Sequence, residues 1–215
     1  MGRINCFSIP LKQFSFFERG EYMAEDKKLV FLTGRLVNLC PFTKGDIPLV
    51  TRWINDQEVR EFVLGIFPQT EKQEEDWFNK LGSDDKNVVL GIKTKEGVLI
   101  GIIGIHKIDW INRVATTGAL IGEKEFWGKG FGTDAKMILL HYAFNTLNLR
   151  KILSNVIAFN KRSLQYSLHC GYQIEGRRRK QNFKRGQYWD LIELGVFIEE
   201  WLPIWKKYKK TGKVR

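Results

Sequence analysis

The chain has 215 residues, of which 43% are hydrophobic and 27% charged, and its formal net charge is +11. This length supports one domain with a sizeable core, and the composition is typical of a globular protein rather than a disordered or fibrous one. No apolar run reaches the ~18 residues that would predict a membrane-spanning helix, so we expect no membrane partner.

The first 22 residues are set apart as an N-terminal extension, and residues 23–215 form the predicted single domain. The extension has neither a hydrophobic signal core nor a small-residue cleavage site. Residues 18–22 directly precede Met23, and their codons could be read as a purine-rich ribosome-binding site. We therefore expect the natural product to begin at Met23; the alternative is a disordered or loosely docked arm.

The hydrophobic pattern predicts helices and strands in a mixed order. In chain order these are strand 30–40, helices 47–55, 56–62 and 70–81, strands 87–94, 98–108 and 114–121, helix 133–147, strand 151–158, helix 161–169, strands 172–178 and 191–198, and helix 199–209. The helix from 70 has a capping box, with Thr70 at the N-cap and Gln73 at N3. The order indicates an α+β sheet packed between helices.

Cysteine and histidine spacing argues against disulfides and metal sites. Cys6, Cys40 and Cys170 are far apart, odd in number and without a C-x-x-C pair, which predicts a reduced, cytoplasmic chain. The three histidines show no metal-ligand spacing, so we predict no metal.

Three glycines alternate with other residues just before the helix at 133–147. Gly128, Gly130 and Gly132 allow the backbone to approach a ligand closely. The first N–H groups of the following helix have no internal partner and attract anions. The stretch therefore predicts a cradle for phosphate groups, and Lys129 either adds charge to it or points to water.

The spacing of this glycine run disfavours two nucleotide classes. A P-loop requires G-x-x-x-x-G-K-[ST], whereas here Lys129 lies between the first two glycines. A dinucleotide fingerprint requires G-x-G-x-x-G directly after a strand and an acid about 20 residues later. The chain has G-x-G-x-G, and the next predicted strand, over residues 151–158, is followed by Phe159-Asn160 with no acid that could hold the ribose. Coenzyme A is the third class of ligand that such loops bind, and a glycine-rich turn without a ligand is the alternative.

The stretch 127–132 resembles motif A of the GNAT acetyltransferase superfamily, [RQ]-x-x-G-x-[GA], with Trp127 in the Arg/Gln position. Further segments resemble the family in order and spacing over about residues 30–205, namely 33–39, 53–56, 160–163, 170–172, 175–176 and 186–190. With Trp127 at its first position, the motif is similar to that of the branch that contains the ribosomal-protein alanine and spermidine N-acetyltransferases. The resemblance implies a mixed, mostly antiparallel sheet that is splayed at the cofactor site. It also implies direct acetyl transfer from acetyl-CoA to a primary amine of a small molecule or a protein N-terminus. We expect the protein to be a monomer or a homodimer.

The resemblance assigns coenzyme-binding roles to two strand residues, the glycine run and two residues of the next helix start. These are Leu120, Ile121, Trp127, Gly128, Lys129, Gly130, Phe131, Gly132, Thr133, Asn160 and Ser163. Alternatives stay open for Asn160, which also suits a helix cap, and for Ser163, which also suits a structural first turn.

The acid and base positions depart from the family pattern. Ser167 occupies the slot where many members place a tyrosine that protonates the thiol, and Tyr166 is one residue earlier. One residue on a helix is a rotation of about 100°, so we expect Tyr166 to face elsewhere and Ser167 to act near the sulfur. Thr116 replaces a frequent glutamate, and His106 is our candidate base because its intrinsic pKa suits proton transfer. A structural histidine is the alternative.

Further candidate bases are Glu123, Asp109, Asp190 or a chain of waters. The altered acid and base positions leave a second function open. In that alternative, a basic module of acetyltransferase fold binds the ribosome or a nucleic acid.

Overall fold

A computed structural model describes residues 29–81, 83 and 85–214, so the predicted extension over residues 1–22 lies outside the described residues. The strands are β1 (Leu32–Thr33), β2 (Val37–Pro41), β3 (Val88–Thr94), β4 (Leu99–Asp109), β5 (Val114–Ile121), β6 (Lys151–Ile157), β7 (Gln173–Lys184) and β8 (Gln187–Phe197). The helices are α1 (Ile47–Asn55), α2 (Gln57–Arg60), α3 (Glu71–Lys80), α4 (Phe131–Asn145), α5 (Lys161–His169) and α6 (Ile198–Thr211). Across these described ranges, no helix is long and apolar enough to cross a bilayer.

The strands form one sheet in the order β1-β2-β3-β4-β5-β6-β8-β7. Every neighbouring pair is antiparallel except β5 and β6, which run parallel. The predicted α+β class with a mixed, mostly antiparallel sheet is confirmed. The last two strands are longer than predicted, because β7 and β8 continue to a tight hairpin turn at Arg185 and Gly186.

Helices pack on both faces of this sheet, since alternate strand residues point to opposite sides. In β4, Ile103 belongs to a large apolar cluster that includes side chains of α4 and α6. Its neighbour Ile102 packs against a smaller cluster built from α1, Val59 and Leu99, with Trp77 and Phe78 of α3 at its edge. The two clusters are therefore the two cores of the domain, one on each face.

Strands β5 and β6 separate after three residue pairs. Val114, Ala115 and Thr116 pair with residues 151–153, yet β5 continues to Ile121 and β6 to Ile157. On its other edge, β6 pairs with β8 along its whole length. The parting of β5 and β6 opens a gap in the middle of the sheet, and this confirms the predicted splay.

The predicted strand over residues 30–40 is two strands, β1 and β2, separated by a turn at residues 34–36. Gly34 in this turn lies against Asp134 of α4, and a Cβ at Gly34 would be 2.5 Å from that carboxylate. Sequence periodicity missed the break because it is imposed by a helix that lies about 100 residues later in the chain.

Asp134 holds this turn from the first turn of α4. Its buried carboxylate accepts hydrogen bonds from the backbone N–H groups of Arg35 at 3.1 Å, Leu36, and Val37 at 2.8 Å. The Tyr208 hydroxyl of α6 donates to the same carboxylate. One side chain therefore connects the start of α4, the β1–β2 turn and the last helix.

We expect Asp134→Asn to lower the free energy of unfolding by about 2–3 kcal/mol, because an amide leaves buried donors that a carboxylate had satisfied. Urea unfolding followed by circular dichroism measures the change. Asp76→Asn, at an exposed position of α3, is the matched control and should change stability by less than about 0.5 kcal/mol. Equal effects of the two substitutions would contradict this role of Asp134.

Candidate active site

The gap between β5 and β6 opens into a cleft of about 390 Å³. Its walls come from the end of β5, the glycine run, the first turns of α5, and the chain at and after the end of α2. The lining residues are Val59, Phe62, Val63, Ala119, Leu120, Ile121, Phe126, Trp127, Gly128, Gly130, Gly132, Thr133, Asn160, Arg162, Ser163, Gln165, Tyr166 and His169. Nine of the eleven predicted coenzyme-binding residues are among them. Lys129 is exposed and Phe131 packs edge-on against Phe126, so neither of these two lines the cleft.

The glycine run bends the chain tightly into the N-terminus of α4. Gly128 and Gly130 have φ angles of 74° and 89°, in the left-handed region that side chains disfavour. Gly130 is the N-cap of α4, and the N–H of Asp134 donates the first helical hydrogen bond to its carbonyl. The N–H groups of residues 131–133 therefore have no helical partner. They place the positive end of the α4 dipole at this wall of the cleft.

The backbone of β5 presents alternate residues to the gap. The Gly122 N–H donates to Ile100 of β4 at 2.9 Å, so Leu120 also directs its backbone toward β4, whereas Ala119 and Ile121 direct theirs toward the gap. The Ile121 carbonyl already accepts a hydrogen bond from the indole N–H of Trp127 at 2.7 Å. Leu120 and Ile121 both line the cleft, and their contacts with a ligand stay a prediction. Ala119, which sequence analysis did not single out, also lines the cleft and directs its backbone toward the gap.

A cation lies on the aromatic wall of the cleft. The Arg162 guanidinium is 4.0 Å from the ring centroid of Trp127 and 5.0 Å from that of Phe62. Burial lowers the pKa of Arg162, and Glu58 opposes this shift. No carboxylate among the described residues forms a salt bridge with it. Trp127 stands where motif A of the family has Arg or Gln, and the Arg162 guanidinium lies over its ring.

Asn160 is the N-cap of α5, and its side-chain oxygen accepts a hydrogen bond from the Ser163 N–H at 3.0 Å. Asn160 therefore does cap α5, and Ser163 does lie in the first turn of that helix, as the two structural alternatives predicted. Both residues also line the cleft, so capping fixes the Asn160 amide at its wall.

Tyr166 and Ser167 have exchanged the orientations expected from helical rotation. Tyr166 lines the cleft, whereas Ser167 is 1% exposed and faces the protein interior. The expectation failed because α5 is rotated so that its residue six after Asn160, not seven, meets the gap. The buried Tyr166 hydroxyl has no hydrogen-bond partner among the described residues, and burial holds the pKa of this phenol well above its usual value.

His106 lies at the point where β5 and β6 part, outside the cleft lining. It pairs with Thr116, the last residue of β5 that also pairs with β6. Its ring covers Gly104 and Gly118, where Cβ atoms would lie 2.6 Å and 3.8 Å from its Nε2. Burial lowers the pKa of His106, with further lowering by Lys136 and Lys107, so the imidazole is neutral near pH 7.

The other candidate bases are engaged in local structure. Glu123 accepts hydrogen bonds from Arg52 and from the indole of Trp53. Asp109 accepts from Asn112 within its own turn. Asp190 accepts from Arg177 and from the backbone of residue 180. Their interactions are those of structural carboxylates.

Comparison with known proteins agrees with this geometry. Residues 37–173 match the family model described as an acetyltransferase (GNAT) domain. YdaF of Bacillus subtilis, provisionally named a ribosomal N-acetyltransferase, is 34% identical over 106 residues, covering 49% of this chain. The spermidine N(1)-acetyltransferase of Escherichia coli K12 is 28% identical over 107 residues, covering 50% of this chain. Each alignment spans 57% of the relative's own length.

A solved structure extends the likeness to the whole fold. The spermidine N-acetyltransferase of Vibrio cholerae, in complex with CoA and spermine, superposes with a TM-score of 0.73 at 24% identity. The match covers 78% of this chain and 98% of the Vibrio chain. The family implies acetyl-CoA as the acetyl donor, and the chain belongs to the GNAT acetyltransferase family.

Proposed function

We propose that this protein transfers an acetyl group directly from acetyl-CoA to a primary amine, and that its preferred acceptor is a protein N-terminus. One observation carries the proposal: the gap between β5 and β6 opens beside the free N–H groups at the start of α4. A phosphate cradle and a slot for an extended arm are thereby joined in one cleft. Acetyl-CoA, when bound, supplies the thioester.

The coenzyme half of the site follows from the lining residues. The N–H groups of residues 131–133 and the guanidinium of Arg162 bind phosphate oxygens. The backbone of Ala119 and the side-chain amide of Asn160, which caps α5, hydrogen-bond the polar groups of the pantetheine arm. Gly132 lies between Ile121 and Tyr166, since a Cβ there would be in van der Waals contact with both at 3.8 Å, and a side chain longer than that of alanine would extend further into this passage.

Proton transfer falls to two residues on either side of the gap. The Tyr166 hydroxyl borders the cleft with no partner among the described residues, and its raised pKa keeps the phenol protonated near neutral pH, so a proton is present for transfer to sulfur. His106 is neutral near pH 7 and lies over the unpaired part of β5, so it accepts the proton that the amine loses. Ser167 stays a supporting residue behind Tyr166.

The rim of the cleft favours a peptide over a polycation. Leu64, Ile66 and Phe67 follow the cleft-lining Val63 and are exposed. The nearby acids are compensated, because Lys124 pairs with Asp56 and Glu58, and Arg185 pairs with Glu61. A polyamine requires free carboxylates, whereas the first side chains of a peptide can bury apolar surface on this rim.

The alternative of a ribosome- or nucleic-acid-binding module receives less support from the basic run at 177–180. Arg177 pairs with Asp190 and Arg178 pairs with Glu193, which neutralises half of its charges. Relatives named for ribosomal proteins fit the proposed enzyme equally well, since a ribosomal protein offers an N-terminal amine.

Calorimetry with acetyl-CoA tests the coenzyme half. We expect binding by the wild type and a roughly ten-fold weaker Kd for Arg162→Gln, as one charge-assisted contact to phosphate is lost. Lys161→Gln, an exposed neighbour that does not line the cleft, is the control and should leave Kd within about two-fold. A wild type that does not bind acetyl-CoA would defeat the proposed function.

Steady-state kinetics test the assignment of the proton donor. We expect Tyr166→Phe to lower kcat by about 100-fold with little change in KM, because the general acid acts in the transition state. Ser167→Ala should lower kcat by less than about three-fold, since its hydroxyl lies away from the cleft. The reverse order of effects would restore Ser167 as the reacting group, and an unchanged kcat in His106→Gln would leave proton removal to water.

The acceptor is tested by comparing an alanine-starting hexapeptide with spermidine at equal concentration. We expect kcat/KM to be at least about ten-fold higher for the peptide, and Phe67→Ser to lower it by weakening apolar contacts with the rim. Higher kcat/KM for spermidine would overturn the preference for a protein N-terminus while leaving acetyl transfer intact.

A further inference from the structure

A lysine is buried in the core directly beneath the gap. Lys136, in the second turn of α4, is 1% exposed, although lysine is almost never fully buried unless it is paired. Its ammonium donates a hydrogen bond to the Thr117 hydroxyl at 2.8 Å. It also lies over the rings of Tyr166 and Tyr172, at 5.5 Å and 5.4 Å from their centroids.

No carboxylate neutralises this charge. Within the described part of the chain, no Asp or Glu lies within salt-bridge distance of Lys136. Asp134, two residues earlier, is occupied by the β1–β2 turn and Tyr208. Two aromatic faces and one hydroxyl compensate a buried ammonium only in part, so the site retains a net positive charge that attracts negative charge.

Thr117 is the first residue of β5 beyond the paired segment. Its hydroxyl accepts a hydrogen bond from Lys136, shares one with the Tyr172 hydroxyl at 2.7 Å, and lies 3.3 Å from the Leu153 carbonyl, to which it can donate. The Ser154 hydroxyl of β6 donates to the Thr117 carbonyl at 3.4 Å. Side-chain hydrogen bonds thus replace the missing ladder at the floor of the gap, and the Thr117 hydroxyl has no bonding capacity left.

We propose that Lys136 is a positioning residue for acetyl transfer, which fixes Thr117 at the floor of the gap and supplies a positive charge behind Tyr166. This inference rests on the function proposed above. In that reaction the amine nitrogen bonds to the thioester carbon, and the carbon–sulfur bond breaks with its electron pair passing to sulfur. The amine proton passes to His106 or water, and the Tyr166 proton passes to sulfur. The charge of Lys136 stabilises the negative charge that moves onto sulfur and then onto the Tyr166 oxygen.

The pKa of Lys136 is closer to neutral than those of the thiol and the two phenols that surround it. Burial lowers the pKa of its ammonium to about 8, against a small raising effect of Cys170. Burial raises the pKa of Cys170 to about 12 and those of Tyr166 and Tyr172 above their usual range, while that of His106, on the other face, is lowered. The lysine charge is therefore present below pH 8 and lost as pH rises through it.

The test compares kcat of the wild type and Lys136→Met from pH 6.5 to 9.5, with acetyl-CoA and the alanine-starting hexapeptide, or spermidine if the peptide is not acetylated. We expect kcat of the variant to be roughly ten-fold lower at pH 7, with KM for acetyl-CoA within two-fold. The wild-type kcat divided by the variant kcat should fall from about ten at pH 7 toward one above pH 8, because only the wild type loses a charge there. Titration of the acceptor amine affects both proteins alike and cancels in the ratio.

A purely structural role predicts a ratio that does not change with pH, and this result would overturn the proposal. Lys136→Gln keeps a donor for Thr117 without the charge and should give the pH dependence of Lys136→Met. Lys161→Met, which removes an exposed lysine, should follow the wild type. If neither buried variant folds, the wild-type kcat is divided by the fraction of acceptor amine that is deprotonated at each pH. A corrected kcat that does not fall above pH 8 is then the contradicting result.

These outcomes separate the two proposals. Absence of acetyl-CoA binding by the wild type would refute the proposed function itself. A wild type that binds and transfers, together with a Lys136→Met variant of equal kcat at every pH, would refute only the role of Lys136.

Discussion

Strands β5 and β6 are the only parallel neighbours in the described sheet, and they pair over three residues before parting. A strand that leaves its neighbour exposes backbone groups, which are costly unless something else bonds them. The hydroxyls of Thr117 and Ser154 satisfy the first of these groups, and the indole of Trp127 satisfies the carbonyl of Ile121. The backbone of Ala119, which lies between Thr117 and Ile121 on β5, remains for a ligand, and the cleft exists because the ladder between β5 and β6 stops where it does.

Helix α4 connects this gap to the rest of the domain. Within two turns it presents free N–H groups to the cleft, binds the β1–β2 turn through Asp134, and places Lys136 under the gap. The three features face different directions, which a helix achieves by its rotation of about 100° per residue. The position of the phosphate cradle relative to the gap therefore depends on contacts with β2 and α6, far from the cleft in sequence.

Charge is distributed unevenly around the cleft. At the rim, acids and bases pair with one another at partly exposed positions, where each pair contributes little stability. The exposed Arg162 at the cleft wall and the buried Lys136 beneath the gap lie over aromatic rings rather than beside carboxylates. The positive charge at the wall suits a polyanionic coenzyme, and the charge of Lys136, where solvent screening is reduced, suits a reaction that releases negative charge.

Most helices and strands and the glycine run at a helix N-terminus could be predicted from the sequence, because periodicity and glycine spacing are local properties of the chain. The family was predicted from the resemblance of several motifs in order along the chain, whereas the break between β1 and β2 was missed. Nine of the eleven residues assigned to the coenzyme line one cleft. The rotation of α5, the burial of Lys136 and the pairing of Arg162 with Trp127 were decided only by the tertiary structure. A surface-type residue such as lysine carries no local signal of burial, and whether Tyr166 or Ser167 meets the gap depends on how α5 packs against α4 and the sheet. These orientations arise from contacts between segments tens of residues apart, and no pattern within a single helix encodes them.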